Sequence, residues 1–148
     1  MGEAVSAANV RNPRFLTVLI VGAATLGLAA TGQAQTPAAK TPGFTAAQAA
    51  RGAALYSANC ALCHGDGLDD GQFAPPLKGP VHAAYWGSRT AADVLSYINA
   101  MMPPSSPGSL GAQGSADVLA YMFKAGGAAP GDKELPIDPA ALALAAVY

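Results

Sequence analysis

Charge is scarce in this sequence. Only 11% of its 148 residues are Asp, Glu, Lys or Arg, and the formal net charge is −1. A protein that holds nucleic acid by neutralising phosphates needs a basic stripe, so that class is excluded. Disorder is excluded from the other side, because 51% of the residues are hydrophobic. No period of 20–50 residues repeats, which rules out a solenoid. No run alternates apolar and polar residues strictly, so no sheet is expected. Two Cys and two His leave few ligands for a metal. Large apolar side chains are also thin on the ground. Ala supplies 35 residues, and Ala favours helix while burying little area.

The N-terminus has the pattern of an export signal. Arg11 and Arg14 precede Phe15–Ala30, 16 residues without charge, and small residues Gly32 and Ala34 follow. A basic region, an apolar region and a small-residue site make a secretory signal peptide over residues 1–34, with cleavage after Ala34. An uncleaved membrane anchor is the alternative, since no charge appears from Phe15 to Ala39. Residues 35–43 read as a flexible linker. The 114 residues after Ala34 carry six basic and eight acidic side chains, a net charge of −2. They hold about thirty apolar residues larger than Ala, a small core for that length. A large buried cofactor would supply the missing apolar surface.

Cys60-Ala-Leu-Cys63-His64 names that cofactor. C-x-x-C-H is the attachment motif of c-type haem. Two thiols three residues apart on a helical turn reach the two vinyl groups of one haem edge. His64 then lies under the iron as proximal ligand. A thioredoxin-type pair would need a βαβ setting, and these flanks are Ala-rich and helical. A zinc site would need Cys60, Cys63, His64 and His82 together, and adjacent Cys63 and His64 fit one tetrahedron poorly. Export agrees with haem c, which is attached outside the cytoplasm.

The chain resembles class I monohaem cytochromes c. The resemblance rests on C60ALCHG65, A74PPLKG79, W86GSRTAADVLSYI98, M102PPSSPGSL110 and D117VLAYMF123, in the family's order, and it covers residues 44–126. Within that class it is similar to the cytochrome domains and small cytochromes that serve bacterial quinoprotein alcohol dehydrogenases. The resemblance implies an all-α fold of three main helices and loops around one haem c. It implies that Gly52 and Tyr56 meet Tyr121 of the last helix. It also implies that a proline carbonyl, Pro75 or else Pro76, fixes the second ring nitrogen of His64, and that Leu77 packs on the haem.

The residues support the same helices. Thr45 and Gln48 form a candidate capping box opening the first. Thr90 opens the second, with Val94, Leu95 and Ile98 as its apolar stripe, and Pro103 ends it. The third runs from Ala112 or Ser115 to Lys124 and stops at Gly126-Gly127. Its start is expected to be late or frayed, because Gly111-Ala-Gln-Gly-Ser115 is small and flexible. Residues 127–148 form a proline-containing tail, in which Asp138-Pro139 can start a short helix over Ala140–Val147.

The sixth iron ligand separates the functions. An open position would bind small molecules, whereas a methionine would leave the iron to shuttle one electron. Met102 precedes Pro103-Pro104 and so leaves the helix in extended backbone. It lies 38 residues after His64, enough to return on the opposite face. The family's Met-Pro signature also falls on Met102. Met101 is its rival, and Met122 reads as helix core. His82 reads as a solvated residue of a Pro/Gly loop. Trp86, Arg89 and Tyr97 carry donors suited to the haem propionates. Asp66, Asp69 and Asp70 lack the order of a calcium loop and read as a solvated turn.

The expected function is that of a periplasmic electron carrier with His64 and Met102 as iron ligands. Its partners would be a dehydrogenase donor and an oxidase or another cytochrome as acceptor. Neither nucleic acid nor a membrane span after cleavage is expected, and the chain is not expected to be an enzyme in its own right. The competing readings are a haem sensor or enzyme with a displaceable sixth ligand, and a structural haem subunit of a larger redox complex.

Overall fold

A computed structural model describes residues 42–147. The expected signal peptide, 1–34, lies outside the described residues, as does the linker up to residue 41. Among the described residues there are five α-helices and no strand: α1 (Ala46–Asn59), α2 (Ala61–His64), α3 (Gly79–Trp86), α4 (Ala91–Met101) and α5 (Gly111–Ala125). A 3₁₀ turn follows at Pro139–Leu142. The long helices α1, α4 and α5 are the three expected, and the architecture is all-α.

Two helix starts are set by threonine. Thr90 and Asp93 form a complete capping box at α4. At α1 only half of one forms. The Thr45 hydroxyl accepts from the Gln48 backbone N–H at 3.0 Å, but the Gln48 side chain does not return to Thr45. It is fully buried and pairs with the backbone of Leu135 instead, donating to its carbonyl at 3.1 Å and accepting from its N–H at 2.6 Å. A buried amide so far from water needs both partners, and the tail supplies them.

Helices α1 and α5 cross at Gly52. A Cβ there would overlap the carbonyl oxygen of Asp117 and touch Tyr121. The rings of Tyr56 and Tyr121 meet beside it, 5.3 Å apart. The crossing is bolted by Arg51, whose guanidinium donates to both carboxylate oxygens of Asp117 at 2.9 and 3.1 Å and to Glu134 at 2.8 Å. Burial works to raise the Asp117 carboxyl, but its hydrogen bonds from Arg51 and Gln113 outweigh that and hold it below the usual range. Gly52→Ala therefore tests the crossing. In a free helix the change is worth up to about 1 kcal/mol in favour of Ala. Here overpacking costs about 1–3 kcal/mol or more, so thermal unfolding is expected to fall by roughly 5 °C or more. A rise in melting temperature would refute the close crossing.

Three local expectations are corrected. Helix α5 begins at Gly111 without a late or frayed first turn. The Ser115 hydroxyl donates back to the Gly111 carbonyl at 2.8 Å, a second tie across the first turn. Its end matches expectation: Gly127 takes φ +98, and Ala128 and Gly127 donate back to Phe123 and Lys124, a Schellman closure. In the tail, helix stops at Leu142 and does not reach Val147. Ala145 instead accepts from the Ala91 N–H at 2.8 Å, and Ala146 bridges antiparallel to Thr90. Finally, residues 79–86 are not loop. Lys78 is extended, Pro80 stands in the first turn, and α3 follows.

Candidate haem site

The C-x-x-C-H segment is built as one tight turn. Helix α1 ends at Asn59, and α2 restarts the chain so that Cys63 and His64 both donate to the carbonyl of Cys60, at 3.0 and 2.9 Å. Both thiols and the imidazole thus come from a single turn, the placement one haem edge requires. Gly65 closes it with φ +84, a backbone conformation that favours glycine. The Tyr56 hydroxyl of α1 donates to the Gly65 carbonyl at 2.6 Å and locks the turn to the α1–α5 crossing. Burial, with Cys63 beside it, pushes the Cys60 thiol up to about 11.

The loop after the motif folds back over it. Phe73 donates to the Cys63 carbonyl and Leu77 to the Leu68 carbonyl. A Cβ on Gly71 would overlap the Cys63 carbonyl, so the return strand of the loop approaches as backbone alone. Asp70 accepts from the Gly67 N–H at 2.8 Å, and Asp69 pairs with Lys78 at 3.4 Å. Asp69 and Asp70 thus shape a turn, and among the described residues no group of three or more His, Cys, Asp or Glu could hold a metal ion.

His64 is buried at 8% exposure, and its Nδ1 lies 2.8 Å from the carbonyl of Pro75, not of Pro76. A carbonyl only accepts, so Nδ1 carries the proton. That leaves Nε2 with a lone pair free for iron, the tautomer a proximal histidine needs. Leu77, two residues on, is half-buried and lines a cavity of about 290 Å³. Leu119, Met122 and Phe123 of α5 form another wall. None of Cys60, Cys63 and His64 lines that cavity; the thiol pair and the correctly bonded imidazole on one turn are what suit a haem edge.

His82 overturns its sequence reading. It sits in α3 at 5% exposure and lines the same cavity. Burial, reinforced by the nearby charge of His64, pushes its imidazole down to about 4, so it is neutral at neutral pH. The missed signal was the Gly-Pro helix start, which puts His82 and Trp86 one turn apart on the same face.

The other site residues fall into two groups. Trp86 is buried, and its ring lies 5.5 Å from that of Tyr97 and 5.2 Å from that of Tyr85. The exposed guanidinium of Arg89 sits 5.1 Å over the Trp86 ring and 5.2 Å over the Tyr85 ring, a cation–π arrangement. Trp86, Tyr97 and Arg89 are thereby brought together in one cluster at the surface. Met102 stands at the end of α4 in extended backbone, with φ −118 and ψ 144, and packs against the core. Met101 is 52% exposed. Met122 is core, as expected.

The family model described as cytochrome c oxidase, cbb3-type, subunit III matches residues 47–122, just over half of the chain. Comparison with curated proteins finds no match, and comparison with solved structures finds none either. The matched span runs from the first turn of α1 through the C-x-x-C-H turn to Met122 of α5, so it takes in Cys60, Cys63, His64, Pro75 and Met102. Covalent haem and a histidine oriented for iron are the parts of a haem electron-transfer domain, which meets other redox proteins. The chain belongs to this cytochrome c family, and it carries haem c bound through Cys60 and Cys63.

Proposed function

We propose that this chain is a periplasmic one-electron carrier whose iron is held by His64 and Met102. It would take electrons from a dehydrogenase, of the quinoprotein alcohol dehydrogenase type that the sequence resembles, and deliver them to an oxidase or another cytochrome. The observation that carries the reading is the contrast at the end of α4. Met102 turns into the protein where Met101 faces solvent. A soft thioether from within would close the sixth position and stabilise ferrous iron. Pro75 supports the same assignment from the other side by orienting His64.

Haem supplies the electron chemistry, a reversible one-electron exchange at iron. The chain holds both axial ligands, excludes water and leaves a contact surface. Leu62 within the attachment turn and Phe73, whose N–H donates to the Cys63 carbonyl, are 87% and 80% exposed. Bare apolar side chains at that place suit the small transient docking of redox proteins. Trp86, Tyr97 and Arg89 would donate to the propionates. Among the described residues no helix is long and apolar enough to cross a membrane, and the leader pattern of residues 1–34 argues for export.

Carbon monoxide tests the reading. The expected result is that the reduced, haem-loaded protein keeps its visible spectrum when the gas is added. Prompt binding would instead mean an open or labile iron, and a ligand sensor or haem enzyme would replace the carrier. A measured potential far from any donor or acceptor would favour a structural haem subunit.

A further inference from the structure

We propose that Tyr56 is the positioning residue of the attachment turn: its backbone carbonyl and its hydroxyl hold the two ends of Cys60–Gly65 and so fix the direction in which His64 presents its ring. The proposal rests on His64 as an iron ligand but not on the identity of the sixth. Helix α2 is a single turn of four residues, too short to be stable on its own hydrogen bonds. Those bonds run inside the turn, from the Cys63 and His64 N–H groups to the Cys60 carbonyl and from the Gly65 N–H to the Ala61 carbonyl. They leave the first N–H and the last carbonyl of the segment without partners inside it. Tyr56 takes both. Its carbonyl accepts from the Cys60 N–H at 2.8 Å, and its hydroxyl donates to the Gly65 carbonyl at 2.6 Å.

The setting of Tyr56 suits that role. It is 2% exposed, and its ring is wedged against Tyr121 at the α1–α5 crossing. Burial pushes the phenol well above its ordinary value, so it stays protonated and remains a donor at neutral pH. The Leu68 N–H also approaches the Gly65 carbonyl, but at 3.4 Å, a much weaker bond. Gly65 follows His64 directly and takes φ +84. Asp70 and Gly71 pack so close to it that a Cβ there would overlap them. Holding the Gly65 carbonyl therefore holds the backbone of His64. Pro75 holds the far end of that side chain, at Nδ1. With both ends tied, the imidazole plane has one direction, and a ligand fixed by its outer partners keeps its geometry toward the metal. A phenylalanine would fill the same place in the crossing, so packing alone does not account for the hydroxyl.

The test is the proton magnetic resonance spectrum of the haem-loaded full chain. In the ferric state the haem methyl resonances are spread by the unpaired electron, and their pattern follows the directions of the axial ligands. Tyr56→Phe removes the hydroxyl and keeps the ring. Tyr121→Phe removes the other hydroxyl of the ring pair, which is not the one bonded to the turn. The expected result is a changed order or spread of the methyl resonances in Tyr56→Phe and the wild-type pattern in Tyr121→Phe. A wild-type pattern in folded Tyr56→Phe would overturn the proposal. An equal change in Tyr121→Phe would overturn it too, by tracing the effect to the crossing as a whole. Should Tyr56→Phe fail to load haem, the unsubstituted ferrous protein decides. Its Tyr56 hydroxyl proton is expected as a slowly exchanging resonance with a nuclear Overhauser contact to the Gly65 α-protons, and rapid exchange with water would overturn the clamp. The shifted ring protons of His64 in the unsubstituted ferric protein check its ligation separately. Their absence would overturn the His64 reading and this proposal with it, whereas a failed variant comparison would leave that reading in place.

Discussion

The double substitution Cys60→Ala/Cys63→Ala is expected to abolish covalent haem attachment and, with it, the cooperative fold. The first half follows from the chemistry, since only these two thiols can form thioethers. The second half follows from packing. The attachment turn is tied to α1 through Tyr56 and to the following loop through Pro75, and removing the cofactor strips the side chains that pack on it of contacts at once. A single large-to-small change in a core already costs about 2–5 kcal/mol. A domain of this size has only about 5–15 kcal/mol in total. The core elsewhere is small: several of its buried members are alanines, among them Ala49, Ala91, Ala116 and Ala120. Haem staining after denaturing electrophoresis should be lost, and the cooperative thermal transition with it. Retention of a sharp transition by the haem-free double variant would show that the protein core suffices. It would also move the haem from a structural partner to a mere passenger.

The extent to which this could be read in advance varied with the range of the interaction. The attachment turn was legible because C-x-x-C-H is a local code: spacing along one turn fixes which atoms meet. The Gly52–Tyr56–Tyr121 crossing was legible through resemblance, and its reason is visible only in three dimensions, where the Asp117 carbonyl occupies the place of a side chain. Gln48 shows the limit. A capping box is a local pattern, and Thr45 obeys it, but the backbone of Leu135, 87 positions away, offers both a donor and an acceptor. No local rule contains that partner. His82 was misread for a different reason. Gly79 and Pro80 are turn residues by composition, yet proline in a first helical turn is also a helix start, and the buried Trp86 one turn later decides between the two. The tail was legible as proline-rich chain with apolar residues. That Leu135, Leu142 and Val147 all turn inward depends on the surfaces they meet.

Met102→Ala is expected to convert the reduced protein from one that ignores carbon monoxide to one that binds it stoichiometrically. Met101→Ala should leave it inert. The contrast works because the two thioethers are chemically identical and differ only in direction. Helix α4 ends with its last backbone bond, from the Met102 N–H to the Ile98 carbonyl at 3.0 Å. Met101 is still on the helix and faces solvent, whereas Met102 is already extended and lies against the core. A slip of one residue would exchange them, but the anchors on either side resist it. The capping box at Thr90 and Asp93 fixes the helix start, and the buried Val94, Leu95 and Ile98 fix its rotation. The midpoint potential of Met102→Ala should also fall, because the thioether that favours ferrous iron is gone. A fall of roughly 0.1 V or more is a modest share of the roughly 0.8 V that axial ligands span. Were Met101→Ala the variant that gained carbon monoxide binding, the sixth ligand would belong to the exposed methionine, and α4 would have to turn by about 100° to present it. Were neither to gain it, the sixth position would be held from elsewhere, and buried His82, across the cavity from α5, would be the next residue to replace.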